Sequence, residues 1–411
     1  MVTSLSRSAD TRASDGAPRR VLIAADTFPP DVNGAAYFTV RLATGLAARG
    51  NEVHVVCQSD DGPPGTGTVD GVVVHRLRSV SLLVHPTMRT AVPAGVGRAL
   101  DRLIAEVRPG VVHAQGHFTI GRGAVAAAGR AGVPAVATNH FMPENFFQYA
   151  PVGSRLRTAA SRIAWRDLGR VFARAAHVTT PTPIAAELLR RAVAGPVEAI
   201  SCGIDLRRFA PASEPPSWIR KRLELPDRDS LLFVGRLDEE KRLEELIAAL
   251  PHLPGAQALL AGMGARRAKL ERLAERLGVA DRVLFLGFVP DADLPRLYGA
   301  ADVFVMPGVA ELQSIATLEA MASGLPVVAA DAMALPHLVH PGRNGMLYRP
   351  GDVPELAGHL ATLLASPGLR AEMGEAGRAI AAEHDHHRSL DRFEAVYAEL
   401  TTRSGRAAAG R

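Results

Sequence analysis

The stretch Ala310–Asp331, AELQSIATLEAMASGLPVVAAD, falls into three pieces. Ser314 can cap a helix running to about Ala322, with Gly324 just past its end as a stop signal. The segment PVVAAD that follows is a short apolar run of strand type. A helix joined by a tight turn to a buried strand is part of a β–α–β series, and such a series builds a parallel sheet covered on both faces. Two glutamates, Glu311 and Glu319, bracket the start of the helix. On one continuous helix, residues eight apart differ by about 80° in direction, so the pair cannot form a ladder on one face. Glu311 belongs instead to the loop before the helix and Glu319 to the helix itself. Two acceptors at different depths beside a helix N-terminus suit a ligand with several hydroxyls and a phosphate.

Outward from this stretch the same alternation repeats. Upstream come LLFVGRL, a helix from Lys241 to Leu253, AQALLAG, a helix from Arg266 to Leu277, RVLFLGF and DVFVMPG. The N-terminal half has a series of its own. VLIAADTF begins it, then a helix from Tyr37 to Arg49, EVHVVCQ, VVVHRL, a helix near Val96 to Val107, VVHAQG, PAVATNH, HVTTPT and VEAISCG. Between the halves, Gly203 to Trp218 is proline-rich and aperiodic, which reads as a linker centred on residues 206–218. The expected organisation is a leader over 1–20, a Rossmann-like domain over 21–205, a second over 219–385, a helix over 386–403 crossing back to the first, and a tail over 404–411. This is an α/β architecture of two Rossmann-like domains whose parallel sheets face a central cleft, where open α/β sheets bind ligands.

Composition fits a soluble globular protein, with 47% apolar and 22% charged residues among 411. Cys57 and Cys202 suit a reducing compartment and give neither a disulfide framework nor a metal spacing. No apolar run reaches the roughly 18 to 20 residues that span a bilayer. The first twenty residues lack the apolar core of a signal peptide. The expectation is a cytoplasmic protein, or one peripheral on the inner face of the membrane. A net charge of +5 favours an anionic partner. Only Lys221, Lys241 and Lys269 are lysines among the 47 basic residues, so a lysine inside a phosphate-binding pattern is informative.

The Glu311–Glu319 pair, continued by LEAMASGLPVVAAD, resembles the E-x7-E signature of glycosyltransferase family 4, retaining enzymes of GT-B fold. The resemblance runs from Val21 to about Thr402 and is strongest over Leu231 to Asp331. It implies a nucleotide-sugar donor, with Glu311 beside the donor sugar and Glu319 on the ribose hydroxyls. Ser314 and Ile315, at the helix start, fall beside the phosphates. The family commonly has Phe-Gly where this chain has Gln313-Ser314, so the backbone approach to the phosphate differs here. In FVGRLDEEKRLEELI, Arg236 and Lys241 match the family's cations on the donor diphosphate. Fixed cations stabilise the charge that builds there as the sugar bond breaks. The plain alternative for Lys241 is an i,i+4 pair with Glu245.

Gly262 and Gly264, in LLAGMGARR, form part of a dinucleotide-type glycine pattern without its third glycine. The resemblance places them near the nucleotide in a supporting role. Asn33-Gly34-Ala35 resembles the family's N-terminal glycine loop, with Ala35 in place of the usual second glycine; a plain turn at Gly34 is the alternative. PAVATNHF delivers His140 to a strand end, where family members place a histidine near the reacting centre. A structural histidine is the alternative reading. Met142 to Tyr149 is apolar and aromatic and suits either an acceptor pocket or core packing. Arg162, Arg166, Arg170 and Arg174 recur every four residues beside Ile163, Trp165, Leu168 and Phe172. Such a face fits either an anionic membrane or domain packing. His113 and His117 lack the helical zinc geometry, and EHDHH over Glu383–His387 reads as a polar helix junction. No metal and no cofactor beyond the donor substrate is expected.

The sequence therefore predicts an α-retaining hexosyltransferase using a GDP-mannose or UDP-glucose type donor. A membrane lipid, a cell-envelope glycan or a secondary metabolite is its acceptor, and no nucleic acid is a partner. A nucleotide-sugar epimerase on a related fold is the reading from another class. It would need acid and base groups converging on the sugar and no acceptor. A binding protein with a decayed site is disfavoured by the intact charged positions, and a dehydrogenase by the lack of an acidic residue to hold a ribose at the expected strand end.

Overall fold

The computed structural model describes residues 19–31, 33–82, 85–143 and 154–409. Residues 1–18 of the leader expected over 1–20, and most of Met142 to Tyr149, lie outside the described residues, and Arg20 already belongs to the first strand. The chain divides into two compact units, one of residues Met1–Ser201 with His387–Arg411, the other of Cys202–His386.

Among the described residues, the second unit carries six parallel strands: β11 (Asp229–Val234), β12 (Ala256–Ala261), β13 (Val283–Gly287), β14 (Val303–Met306), β15 (Val327–Ala330) and β16 (Gly345–Tyr348). Their order is β13-β12-β11-β14-β15-β16, so in order of appearance the sheet reads 3-2-1-4-5-6. That is the doubly wound arrangement, whose switch point lies between its first and fourth strands. Here those are β11 and β14. Runs such as LLF, VFVM and VVAA are buried residue by residue, as expected where helices cover both faces.

The expected linker is part of this unit. Ile204, Phe209 and Ile219 pack into its core, and Pro216–Arg222 is a helix. The prolines break periodicity without detaching the segment, because its few apolar side chains still find the core. At Ile204 the chain also pairs with the end of the unit: its N–H donates to His384 O at 2.8 Å, and the His386 N–H donates to its carbonyl at 3.0 Å.

The first unit holds β1 (Arg20–Ala24), β2 (Glu52–Gln58), β3 (Gly65–Val69), β4 (Val72–Leu77), β5 (Ser79–Leu82), β6 (His85–Ala91), β7 (Val111–Ala114), β8 (Ala135–Thr138), β9 (His177–Thr180) and β10 (Val197–Ala199). Its main sheet runs β10-β9-β8-β7-β1-β2-β4-β3, with β5 and β6 paired separately. β3 is antiparallel to β4, a departure from the all-parallel expectation. The hairpin turns at Asp70 and Gly71, both at positive φ (46° and 82°). The Asp-Gly pair there is a strong hairpin signal, although β3 itself, GTGTV, has no apolar face.

The C-terminal helix His386–Ala409 returns to this unit. Arg49, its side chain 7% exposed, bonds both Asp391 (2.7 Å) and Glu394 (2.8 Å), and Asn51 donates to Glu394 at 2.8 Å. Glu394 is buried, so this network keeps its charge paired, and removing one partner of such a pair typically costs about 3–5 kcal/mol.

Candidate active site

In the second unit, the loops leaving β11 and β14 meet at the switch point. The Val309 N–H donates to Glu240 O at 3.0 Å, which fastens one loop to the other. Lys241 from the first loop forms an ion pair with Glu311 from the second. Both side chains are mostly buried, at 15% and 12% exposed. The i,i+4 pair with Glu245 is not made: Glu245 is held by Arg242 and by the Tyr348 hydroxyl at 2.6 Å. Lys241 does not open a helix either. It closes a 3-10 turn, Glu239–Lys241, before Arg242 adopts a left-handed conformation and the helix Leu243–Ala249 begins. That break turns Lys241 toward Glu311. An ammonium has three donors, so this pairing leaves two for an anion.

Arg236 is half exposed and bonds Asp238 at 2.5 Å and Glu240 at 2.9 Å. Its remaining donors and its exposure leave it able to turn to a diphosphate at little cost. Gly262 and Gly264 act by proximity: a Cβ on the first would lie 1.8 Å from Gly235 O, and on the second 2.4 Å from Leu237 O. Both glycines let the loop after β12 lie directly on the loop that carries Arg236. The Leu237 N–H donates to Met263 O at 2.9 Å across the same contact.

The helix carrying Glu319 spans Ile315–Ala322. Ser314 stands at its cap position but does not cap it. With φ at 72° its hydroxyl bonds Thr317 Oγ1 at 2.8 Å instead. Ser314 therefore does not cap the helix mouth, and an uncapped helix N-terminus can take an anion on its N–H groups. Gln313 turns inward, 3% exposed, and its Oε1 accepts from the Cys202 N–H at 2.8 Å. Glu319 accepts from the hydroxyl of Tyr298 at 2.8 Å. Tyr298 is fully buried, and burial first, then Glu319, raises its pKa well above the ordinary range. The hydroxyl therefore stays a donor and fixes the orientation of the Glu319 carboxylate. Sequence reading missed Tyr298, because a tyrosine in an apolar helix 21 residues away reads as core.

In the first unit, Gly34 is the exposed first residue of the helix Gly34–Ala48, not part of the loop before it. Asn33 caps that helix, its Oδ1 accepting from the Ala36 N–H at 2.9 Å. His140 follows β8, packs against Phe38 with the rings tilted and their centroids 4.9 Å apart, and donates from Nε2 to Gln115 Oε1 at 2.9 Å. Burial lowers its pKa to about 4, so it is neutral near pH 7. His117, 3% exposed, sits among Phe118, Phe141 and Phe172, and burial lowers it to about 4. On the helix Ser154–Phe172, Leu168 and Phe172 face the core while Arg162, Arg166 and Arg170 are exposed. Arg174 is exposed too but lies past the helix end, so the stripe is one arginine shorter than its spacing implied. No helix among the described residues is long and apolar enough to cross a membrane.

Two family models match: "Glycosyltransferase Family 4" over residues 32–208 and "Glycosyl transferases group 1" over residues 216–380. A GDP-mannose-dependent alpha-mannosyltransferase of Mycolicibacterium smegmatis is 34% identical, over 80% of this chain and 84% of the relative. A D-inositol 3-phosphate glycosyltransferase of Salinispora arenicola is 32% identical over 91% and 89%. Sucrose-phosphate synthase of Thermosynechococcus elongatus superposes with a TM-score of 0.77, covering 93% of this chain and all of its own, at 24% identity. The fold is GT-B, and the chain belongs to glycosyltransferase family 4. It is a hexosyltransferase, and the epimerase and decayed-site readings give way to transfer.

Proposed function

We propose that the chain moves a hexosyl group, with retention of configuration, from a guanosine-type nucleotide sugar to a hydroxyl of a membrane-anchored acceptor. The observation that carries the donor site is the meeting of Lys241, Glu311 and the uncapped helix of Glu319 at the switch point of the second unit. Glu319, oriented by Tyr298, takes the ribose hydroxyls. Lys241 and Arg236 take the diphosphate, together with the helix mouth at Ser314 and Ile315, and Glu311 lies by the sugar. Gly262 and Gly264 support the loop beneath. In the first unit, His140 serves the reacting centre and Gly34 supports the phosphates. The acceptor oxygen attacks the anomeric carbon as its bond to the diphosphate breaks, and the acceptor proton passes to the departing phosphate oxygen. Two cations meet the developing charge, Lys241 held by Glu311 and Arg236 turning in from the surface, so the step needs no divalent metal. The likeness to a GDP-mannose-dependent enzyme favours guanosine over uridine.

The acceptor reading rests on the helix Ser154–Phe172. At 100° per residue, Arg155, Leu156, Arg162, Ile163, Arg166 and Arg170 fall within an arc of about 120°. All six are exposed, Leu156 and Ile163 at 64% and 65%. Cations interleaved with bare aliphatic side chains suit an anionic lipid surface better than water.

The test is calorimetry with GDP, UDP, ADP and their hexose conjugates, in chelator, followed by vesicle flotation. GDP-mannose should bind and turn over, with Glu319→Ala and Lys241→Ala each losing binding or turnover at least tenfold while staying folded. Anionic vesicles, and not neutral ones, should carry the protein. Full activity in either variant, or activity only with added metal, would sink the donor site; indifference to vesicle charge would sink the membrane acceptor.

A further inference from the structure

A chain of buried polar groups in the first unit ends at His140. The Tyr397 hydroxyl, on the C-terminal helix, lies 2.7 Å from Nδ1 of His113. His113 Nε2 is 2.6 Å from Thr138 Oγ1 and 3.2 Å from the amide nitrogen of Gln115. The amide oxygen of Gln115 is 2.9 Å from Nε2 of His140. Tyr397 and His113 are fully buried and Gln115 nearly so. An amide oxygen only accepts, so His140 meets it with an Nε2–H and keeps its lone pair on Nδ1. An amide nitrogen only donates, so His113 accepts at Nε2 and carries its own proton on Nδ1, next to Tyr397. One glutamine thereby sets opposite tautomers on two histidines. A leucine here would set neither, and a carboxylate would draw a second proton onto His140.

We propose that Gln115 is a positioning residue for hexosyl transfer: it holds His140 as the neutral Nε2–H tautomer, so that Nδ1 is the atom that accepts a hydrogen bond from a hydroxyl of donor or acceptor. The consequence for activity rests on the proposed role of His140, whereas the tautomer does not. Burial works in the same direction, keeping His140 neutral down to about pH 4 and His113 to about pH 3. Phe38 packs against the His140 ring, and His113 is the titratable group near it. Among the described residues no carboxylate bonds to His140.

The full-length protein labelled with 15N-histidine tests this directly, with His140→Gln identifying the His140 ring signals. The parent should show a protonated Nε2 and an unprotonated Nδ1 at pH 7. Gln115→Glu should raise the His140 titration by about one pH unit or more and carry the acid limb of kcat/KM with it. Gln115→Leu should mix the tautomers and lower kcat/KM about tenfold. An Nδ1–H tautomer in the parent, or an unmoved titration in Gln115→Glu, overturns the assignment. If the ring behaves as expected while kcat/KM is unchanged in both Gln115 variants and in His140→Gln, the role of His140 in transfer fails. The positioning role then falls with it, and only the hydrogen bond stands.

Discussion

At the scale of single residues, Ser314 shows how a departure from the family pattern is accommodated. Its φ of 72° is left-handed, a conformation open to glycine and mildly strained for other residues. The position where the family commonly has glycine is thus one where the backbone asks for it. Ser314→Gly should be neutral or more stable by up to about 1 kcal/mol, the relief of strain being offset by the greater freedom of glycine in the unfolded chain. Ser314→Val, β-branched in the same conformation, should be less stable than Ser314→Gly by about 2 kcal/mol. Urea midpoints of the three proteins check the order; a valine variant as stable as the glycine one would refute the strain. The charged members of the candidate site were proposed from local patterns that resemble the family: Glu311 and Glu319 from E-x7-E, Arg236 and Lys241 from one loop. Their partners were not. The Lys241–Glu311 and Tyr298–Glu319 pairs join residues 70 and 21 apart, and only the folded sheet brings them together.

At the scale of elements, the helix Ile315–Ala322 owes its place to the helix Pro367–Ala382 packed against it. Two glycines on the latter helix, three residues apart, lie in different surroundings. A Cβ on Gly374 would stand 2.0 Å from Gly324 O, a backbone atom that cannot step aside, whereas on Gly377 it would meet Met321 at an ordinary 3.6 Å. Gly374→Ala should therefore force the helices apart and cost about 1–3 kcal/mol. Gly377→Ala should gain up to about 1 kcal/mol from helix propensity. Because Glu319 rides on the displaced helix, Gly374→Ala should also weaken nucleotide binding, and Gly377→Ala should not. Thermal midpoints and GDP calorimetry on the pair decide it; equal behaviour of the two would refute the packing argument. Strands and helices of this kind were read from periodicity to within a few residues, since apolar runs fix what must be buried. The breaks were harder. The 3-10 turn at Lys241 and the missing cap at Ser314 depend on left-handed residues, Arg242 and Ser314, whose side chains do not announce that conformation.

At the scale of the whole molecule, acid bears unevenly on the two units. His113 and His117 lie buried in the first, with burial lowering their pKa values to about 3 and about 4 from an ordinary 6.5. In the unfolded chain both titrate near 6.5, so between that pH and about 4 the unfolded state binds more protons than the folded one. Stability then rises with pH across the window and is lost as pH falls through it. From pH 7 to pH 5 each histidine contributes a loss of about 2 kcal/mol, or about 4 kcal/mol for the two. His140 adds in the same sense. Asp26, whose carboxyl burial pushes up, acts in the opposite sense. In the second unit His337 is exposed, and its pKa is lowered by partial burial first and by His340 next. Urea titrations at the two pH values, with pulsed hydrogen exchange at one labelling pH, should show the first unit losing several kcal/mol and the second much less. His117→Phe isolates one member of the set, since Nδ1 of His117 is buried without a hydrogen-bond partner and its neighbours are Phe118, Phe141 and Phe172. That variant should be as stable as the parent or more so at pH 7, and should lose about 2 kcal/mol less than the parent on going to pH 5. A first unit indifferent to pH over this range, or a His117→Phe protein as acid-sensitive as the parent, would show that these rings charge without unfolding.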